Sequence, residues 1–245
     1  MLKAVVCDLF GTLVDMFPFH EDGCIREIAA SLDVPASEFS GPWLASYADR
    51  EEGRYASIAD CINLIGRRLN RIFSESQVSK AIAVLTRQTR EALTPRPGCV
   101  ETLREIRALG FRIGLISGCS PELPVVWKDA PLSGLVDAVV FTCVEGITKP
   151  DPRIYREVCG RLGVRAQECV YVGDGTNGEL TGALRAGMHP VLMRVHYDQG
   201  YDFLRPGVEE WQGTRVSRLG GILSFLREQE RKPPPRREGV TPTTV

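Results

Sequence analysis

Five side chains of this 245-residue chain sit where apolar runs end and could do chemistry: Asp8, Ser117, Lys149, Asp174 and Glu179. In "VVCDLFGTLVD" the β-branched Val5 and Val6 suit a strand that ends on Asp8, and after Leu9 come Phe-Gly-Thr, the composition of a tight turn. Ser117 closes "RIGLIS", Lys149 sits in "GITKPDPRIY", and Asp174 closes "ECVYVGD" with Glu179 just beyond. Each has a plain structural reading when taken singly. Asp8 could cap a turn, Ser117 before Gly118 could be a turn residue, and "KPDP" could start a helix. Together they make a different chemistry. Two carboxylates form a hard-cation site of the kind magnesium occupies beside a substrate phosphate. A lysine and a hydroxyl next to them bind phosphate oxygens and offset carboxylate charge. Asp8, held in line and out of water, could then attack phosphorus and form an aspartyl-phosphate.

These groups meet only if the elements deliver them to one place. "AVVCD", "RIGLIS", "DAVVFT", "ECVYVG" and "HPVLMR" read as strands, and from residue 95 onward they alternate with helical patterns. Such alternation implies parallel βαβ units, whose C-terminal strand tips share one edge of the sheet. Val100, Leu103 and Ile106 mark one helix, with Gly110 as its left-handed cap. "DPRIYREVCGRLG" and "GELTGALRAG" mark two more. Residues 16 to 94 contain no convincing strand. Ile25, Ile28, Ala29 and Leu32 recur at helical spacing. So do Ile58, Cys61, Ile62, Ile65 and Leu69, then Val78, Ile82, Leu85 and Leu93, and a further helix is expected around Pro42 to Arg50. The expectation is an α/β protein. Its parallel-sheet core covers residues 1–15 and 95–228, and a helical cap is inserted at 16–94. A disordered tail at 229–245 follows, where Pro and charge run without periodicity.

In their order, "DLFGTL", "LIS", "KPDPRIY" and "GDGTNGEL" resemble the motifs of the haloacid dehalogenase-like hydrolase superfamily, helical insertion included. The resemblance implies a Rossmann-like core with a helical-bundle cap. It makes Asp8 the nucleophile and Ser117 and Lys149 the binders of phosphate or carboxylate. It makes Asp174 a magnesium ligand, with the backbone carbonyl of Phe10 as another and Glu179 acting directly or through water. Candidate substrate contacts are Thr12, Gly118, Phe10, Phe17 and Arg50.

Phe10 departs from the phosphatase pattern. Family phosphatases place a second aspartate there, as acid for the leaving alcohol and base for water. General acid catalysis is typically worth ~10²–10⁴-fold, so turnover of ordinary phosphomonoesters should be handicapped. The dehalogenase members resemble this chain at position 10, because they carry an aromatic residue there and use no metal. Asp174 points the other way, since those members resemble a serine-and-asparagine pattern where this chain reads "GDGTNGE". Acids crowded beside Asp8 repel it unless a cation sits between them, and Lys149 supplies one charge only. The expected function is a magnesium-dependent phosphatase acting on a small phosphorylated metabolite. The alternatives are a metal-independent 2-haloacid dehalogenase and a binding protein impaired by Phe10.

Bulk properties narrow the partners. A formal net charge of −1 makes no electrostatic case for nucleic acid. No apolar run approaches the ~18 residues of a membrane span, and "MLKAVVCDLF" lacks a signal-peptide pattern. The eight cysteines are scattered without a CxxC pair and suit reduced, buried positions in a cytoplasmic monomer or homodimer. "SYADREEGRY" reads first as a solvated helix end, with Tyr47, Arg50, Arg54 and Tyr55 as an alternative anion-recognition surface. Phe19 could line the cleft beside Phe17, His20 reads as a helix-start residue, and Trp127 reads as core. His189 and His196 lack partners at metal-ligand spacing.

Overall fold

The computed structural model describes residues 1–16, 22–195, 204–205 and 207–231. Phe17, Phe19, His20, His196 and residues 232–245 of the expected tail lie outside them.

Strand β1 (Ala4–Asp8) is buried at every position, as a strand covered on both faces must be. Beside it run β2 (Arg112–Ser117), β3 (Ala138–Phe141), β4 (Cys169–Gly173), β5 (His189–Met193) and β6 (Thr214–Val216). They form one sheet in the order β3-β2-β1-β4-β5-β6, every neighbouring pair parallel. β6 was not foreseen: its three half-exposed or exposed residues are too few to show a period.

Between β1 and β2 the chain builds α1 (Asp22–Ser31), α2 (Ala36–Ala45), α3 (Tyr47–Glu51), α4 (Ile58–Arg68) and α5 (Glu75–Ala92). The helix expected around Pro42 to Arg50 is thus the end of α2, which contains Pro42, followed by α3. Ser57 caps α4, and Ser74 with Gln77 forms a capping box on α5. Caps of this kind contribute about 1 kcal/mol each. Ile28, Leu32, Phe39, Trp43, Ile62, Ile65 and Leu85 close a hydrophobic cluster belonging to the cap alone.

The chain leaves the sheet and returns to it side by side. Val14 pairs antiparallel with Pro95, the Arg96 N–H donates to Leu13 O, and Arg96 Nε reaches Val14 O and Asp15 Oδ1.

After the cap come α6 (Cys99–Ala108), α7 (Glu122–Trp127), α8 (Thr142–Glu145), α9 (Pro152–Leu162), α10 (Glu179–Ala186) and α11 (Ile222–Arg231). The two sheet faces alternate along β1. Val5 and Cys7 pack with Leu103 and Ile106 of α6, Val126 of α7 and Leu226 of α11. Ala4 and Val6 pack with Val158 of α9 and Ala183 of α10. Trp127 is core, edge-on to Phe141 at 6.0 Å between ring centroids. α11 carries the chain to Arg231, three residues past the expected boundary at 228, because Ile222 and Leu226 dock one of its faces on the core. Among the described residues no helix is long and apolar enough to cross a membrane, and all eight cysteines are free thiols.

Candidate active site

The register of the sheet gathers the acids. Asp8 lies opposite Ile116, so Ser117 ends β2 one residue further along, while Asp174 follows directly on β4 at the other side. Lys149, in the loop before α9, reaches across with Nζ donating to Asp8 Oδ1 at 2.5 Å and Glu179 Oε2 at 2.6 Å. Glu179, first residue of α10, also accepts from the Tyr171 hydroxyl at 2.7 Å and from the Gly175 N–H at 3.0 Å. Asp174 accepts from the Thr176 N–H at Oδ1 and from Arg205 at Oδ2, through Nε at 2.8 Å and Nη2 at 2.6 Å. All of these side chains are buried. Gly11 turns the chain after Phe10 at φ +84°. A Cβ there would fall 2.2 Å from Asp174 Oδ2, so only glycine lets the turn pass beneath that acid.

Three carboxylates thus face two cations. Burial raises the Asp8 pKa; Lys149 opposes that shift and Asp174 adds to it. Burial also pushes Glu179 up to about 8, against the pull of Lys149. Burial disfavours the charged lysine, yet Asp8 and Glu179 outweigh it and hold the Lys149 ammonium well above its ordinary range. Ligand atoms of Asp8, Asp174 and Glu179 lie within 4.8 Å of one another. The donor set is all oxygen, as a hard divalent cation needs. Asp8 Oδ2 is sealed from solvent without a hydrogen-bond partner, and so are the hydroxyls of Thr12 and Ser117. Orphaned buried acceptors of this kind ask for a ligand or an ion. The residues therefore fit a divalent cation, with Arg205 competing for one of its carboxylates.

Above Asp8 lies a cavity of about 240 Å³ between core and cap. Asp8, Phe10, Gly118 and Lys149 line it from the core, and Trp43, Tyr47, Arg50 and Glu51 from the cap. Arg50 is 1% exposed. Its Nε donates to Ser120 Oγ, its Nη1 to Trp43 O and Ser46 Oγ, and its guanidinium lies 3.9 Å over the Trp43 ring. The solvated-end reading therefore holds for part of "SYADREEGRY" only. Arg54 faces water and pairs with Glu52 and Asp49, and Tyr55 bonds Asp49, whereas Tyr47 and Arg50 turn inward. Burial is the reason. Arg50 stacks on Trp43, a member of the cap's hydrophobic cluster.

Of the candidates from sequence, Asp8, Phe10, Gly118, Lys149 and Arg50 line the cavity. Thr12, Ser117, Asp174 and Glu179 are buried outside its lining. Site residues that the sequence did not announce include Trp43, Glu51 and Arg205. Arg205 comes from a stretch with no periodicity after the last strand recognised, and nothing in its spacing points to Asp174. Glu51 sits beside Arg50 in a stretch already marked, but neighbouring positions on a helix do not by themselves say which one faces a cavity.

Sheet order, inserted helices and acids at the strand tips are those of a capped α/β hydrolase. The chain belongs to the haloacid dehalogenase-like hydrolase family, whose sequence pattern matches residues 2–187. It is 29% identical to the glyceraldehyde 3-phosphate phosphatase of Methanopyrus kandleri, over 93% of this chain and 98% of that one. It is 27% identical to (S)-2-haloacid dehalogenase 1 of Pseudomonas sp. strain CBS-3, over 93% and 99%. The fold matches the crystal structure of a HAD phosphatase from Thermococcus onnurineus with a TM-score of 0.64 at 21% identity, covering 92% of this chain and 98% of that one.

Proposed function

We propose that the chain is a magnesium-dependent phosphatase of a small phosphorylated metabolite, working through an aspartyl-phosphate at Asp8. The observation that carries this reading is the orphaned, buried Asp8 Oδ2, set beside a charged lysine and two unpartnered hydroxyls. Lys149 fixes Asp8 in place and draws phosphate charge toward it. Thr12 and Ser117 have hydroxyl protons to give to phosphate oxygens. Arg50, held on Trp43 and aimed into the cavity, suits a second anionic or polar group of the substrate. The small cavity and the phosphatase among the relatives support a compact metabolite. Asp8, the Phe10 carbonyl, Asp174 and Glu179 are the residues to hold magnesium. The bound ion would neutralise charge on the transferring phosphoryl group. Free thiols throughout suit a reducing cytoplasm, and the pairing of Val14 with Pro95 suits a cap of residues 16–94 that moves as a unit on the core.

One observation favours a second reading. Arg205 pairs with both its Nε and Nη2 to Asp174, and such pairing beside Phe10, which offers no acid, suits metal-independent displacement of halide. The deciding test uses phosphorylated metabolites and 2-haloacids, each with and without EDTA. Phosphate release abolished by EDTA is expected. EDTA-resistant halide release would replace this reading with the second.

A further inference from the structure

The reaction proposed above needs a proton for the leaving oxygen, and position 10 cannot supply it. Asp8 attacks from the core, so an in-line leaving group departs toward the cap. Among the described residues, Glu51, the last residue of α3, is the one acid that lines the cavity from that side, and Asp8 is the other acid of the lining. Its side chain reaches down to the sheet edge. A Cβ on Gly118 would fall 2.4 Å from Glu51 Oε1 and 4.0 Å from Lys149 Cε, so glycine after Ser117 leaves the room this carboxyl fills. Glu51 is 7% exposed, and its Oε1 is sealed without a hydrogen-bond partner. The acids at the neighbouring strand tips differ: Glu179 and Asp174 each have both oxygens engaged. Burial raises the Glu51 pKa, with Lys149 opposing and Glu52 and Asp8 adding, so the group keeps its proton more readily than an exposed glutamate.

We propose that Glu51 is the acid–base residue of the reaction, acting from the cap where an aspartate at position 10 would act from the core. The inference rests on the phosphatase reading. In the first step Asp8 Oδ2 bonds to phosphorus and the bond from phosphorus to the leaving oxygen breaks. Its electron pair stays on that oxygen, which takes the proton of Glu51; the alcohol leaves and Glu51 becomes a carboxylate. In the second step water enters from the vacated side and gives its proton to Glu51 as its oxygen bonds to phosphorus. The bond from phosphorus to Asp8 breaks, and phosphate, the Asp8 carboxylate and protonated Glu51 remain.

Glu51→Gln keeps the shape and removes the proton. The test compares kcat/KM of wild type and variant, with magnesium, over phosphate monoesters whose leaving groups run from alkyl alcohols to p-nitrophenol. Expected is a loss of about 10²–10⁴-fold on alkyl esters and less than about tenfold on p-nitrophenyl phosphate. Acid quenching should also trap more phosphoenzyme in the variant, because the second step has lost its base. Circular dichroism and the melting temperature check the fold, and Glu51→Ala, with activity restored by added formate, gives an independent readout. A loss equal across the series, or none, overturns the role of Glu51 and leaves the phosphatase reading standing. A wild type that hydrolyses none of the esters overturns both.

Discussion

Arg205 gives two hydrogen bonds to a single oxygen of Asp174, at 2.8 and 2.6 Å, with both side chains shut off from solvent. A guanidinium there competes with any metal for the same carboxylate. Arg205→Ala is expected to tighten magnesium binding, measured calorimetrically. Without metal it should cost stability, on the order of 3–5 kcal/mol, because a buried carboxylate loses its partner. Added magnesium should restore the melting temperature of the variant more than it raises that of the wild type. Equal magnesium affinity in the two proteins would show that Arg205 does not compete.

Asp8→Asn should abolish turnover while the fold survives, since it keeps the shape at the tip of β1 and removes the nucleophile. The circular dichroism spectrum should be unchanged. Lys149 keeps its contact with Glu179 at 2.6 Å, so the variant still holds one carboxylate against the ammonium. Residual activity above a tenth of wild type would return Asp8 to a structural role.

Phe10 is half-buried and packs on the sheet cluster while also lining the cavity. In the wild-type background Phe10→Asp should add little on alkyl phosphates, because Glu51 already supplies the proton. In the Glu51→Gln background it should recover at least about tenfold of the lost kcat/KM, within the range of one acid–base group. Truncating a packed aromatic costs about 3–5 kcal/mol where it is core, so melting curves accompany the rates. A folded double variant with no recovery would mean that position 10 cannot reach the leaving oxygen.

Glu122 of α7 is buried beneath the cap, facing Arg50 of α3, with Cys24 and Gln88 lining the same small space. Burial pushes its pKa up from 4.5 to about 7; its own backbone N–H and Arg50 oppose the shift. The folded state therefore binds a proton that the unfolded chain releases near pH 4.5. Stability falls as pH rises from 4.5 to about 7 and levels off above. A shift of that size corresponds to about 3 kcal/mol at most. Glu122→Gln should remove this slope, gaining on the wild type at pH 8 and not at pH 4.5 in urea unfolding. The same difference at both pH values would rule the linkage out.

Much of the frame was legible in the chain itself. The strand interiors Val5–Cys7, Ile113–Ile116 and Cys169–Val172 carry no charged residue because both faces of a parallel sheet are covered, and parallel connections send all their C-terminal tips to one edge. That is why the sequence alone places Asp8, Ser117 and Asp174 at one edge, and why the periods around Ile28, Ile62 and Leu85 mark the cap. Periodicity reports which side of an element is apolar; it does not report which charge meets which across elements. Only the tertiary structure pairs Asp174 with Arg205, turns Arg50 inward on Trp43 while Arg54 stays in water, and sets the Glu51 carboxyl over Gly118. The Asp174–Arg205 pair lies within the core and the Arg50–Trp43 stack within the cap, while Glu51 over Gly118 joins the two; each brings together segments whose spatial placement local sequence does not encode.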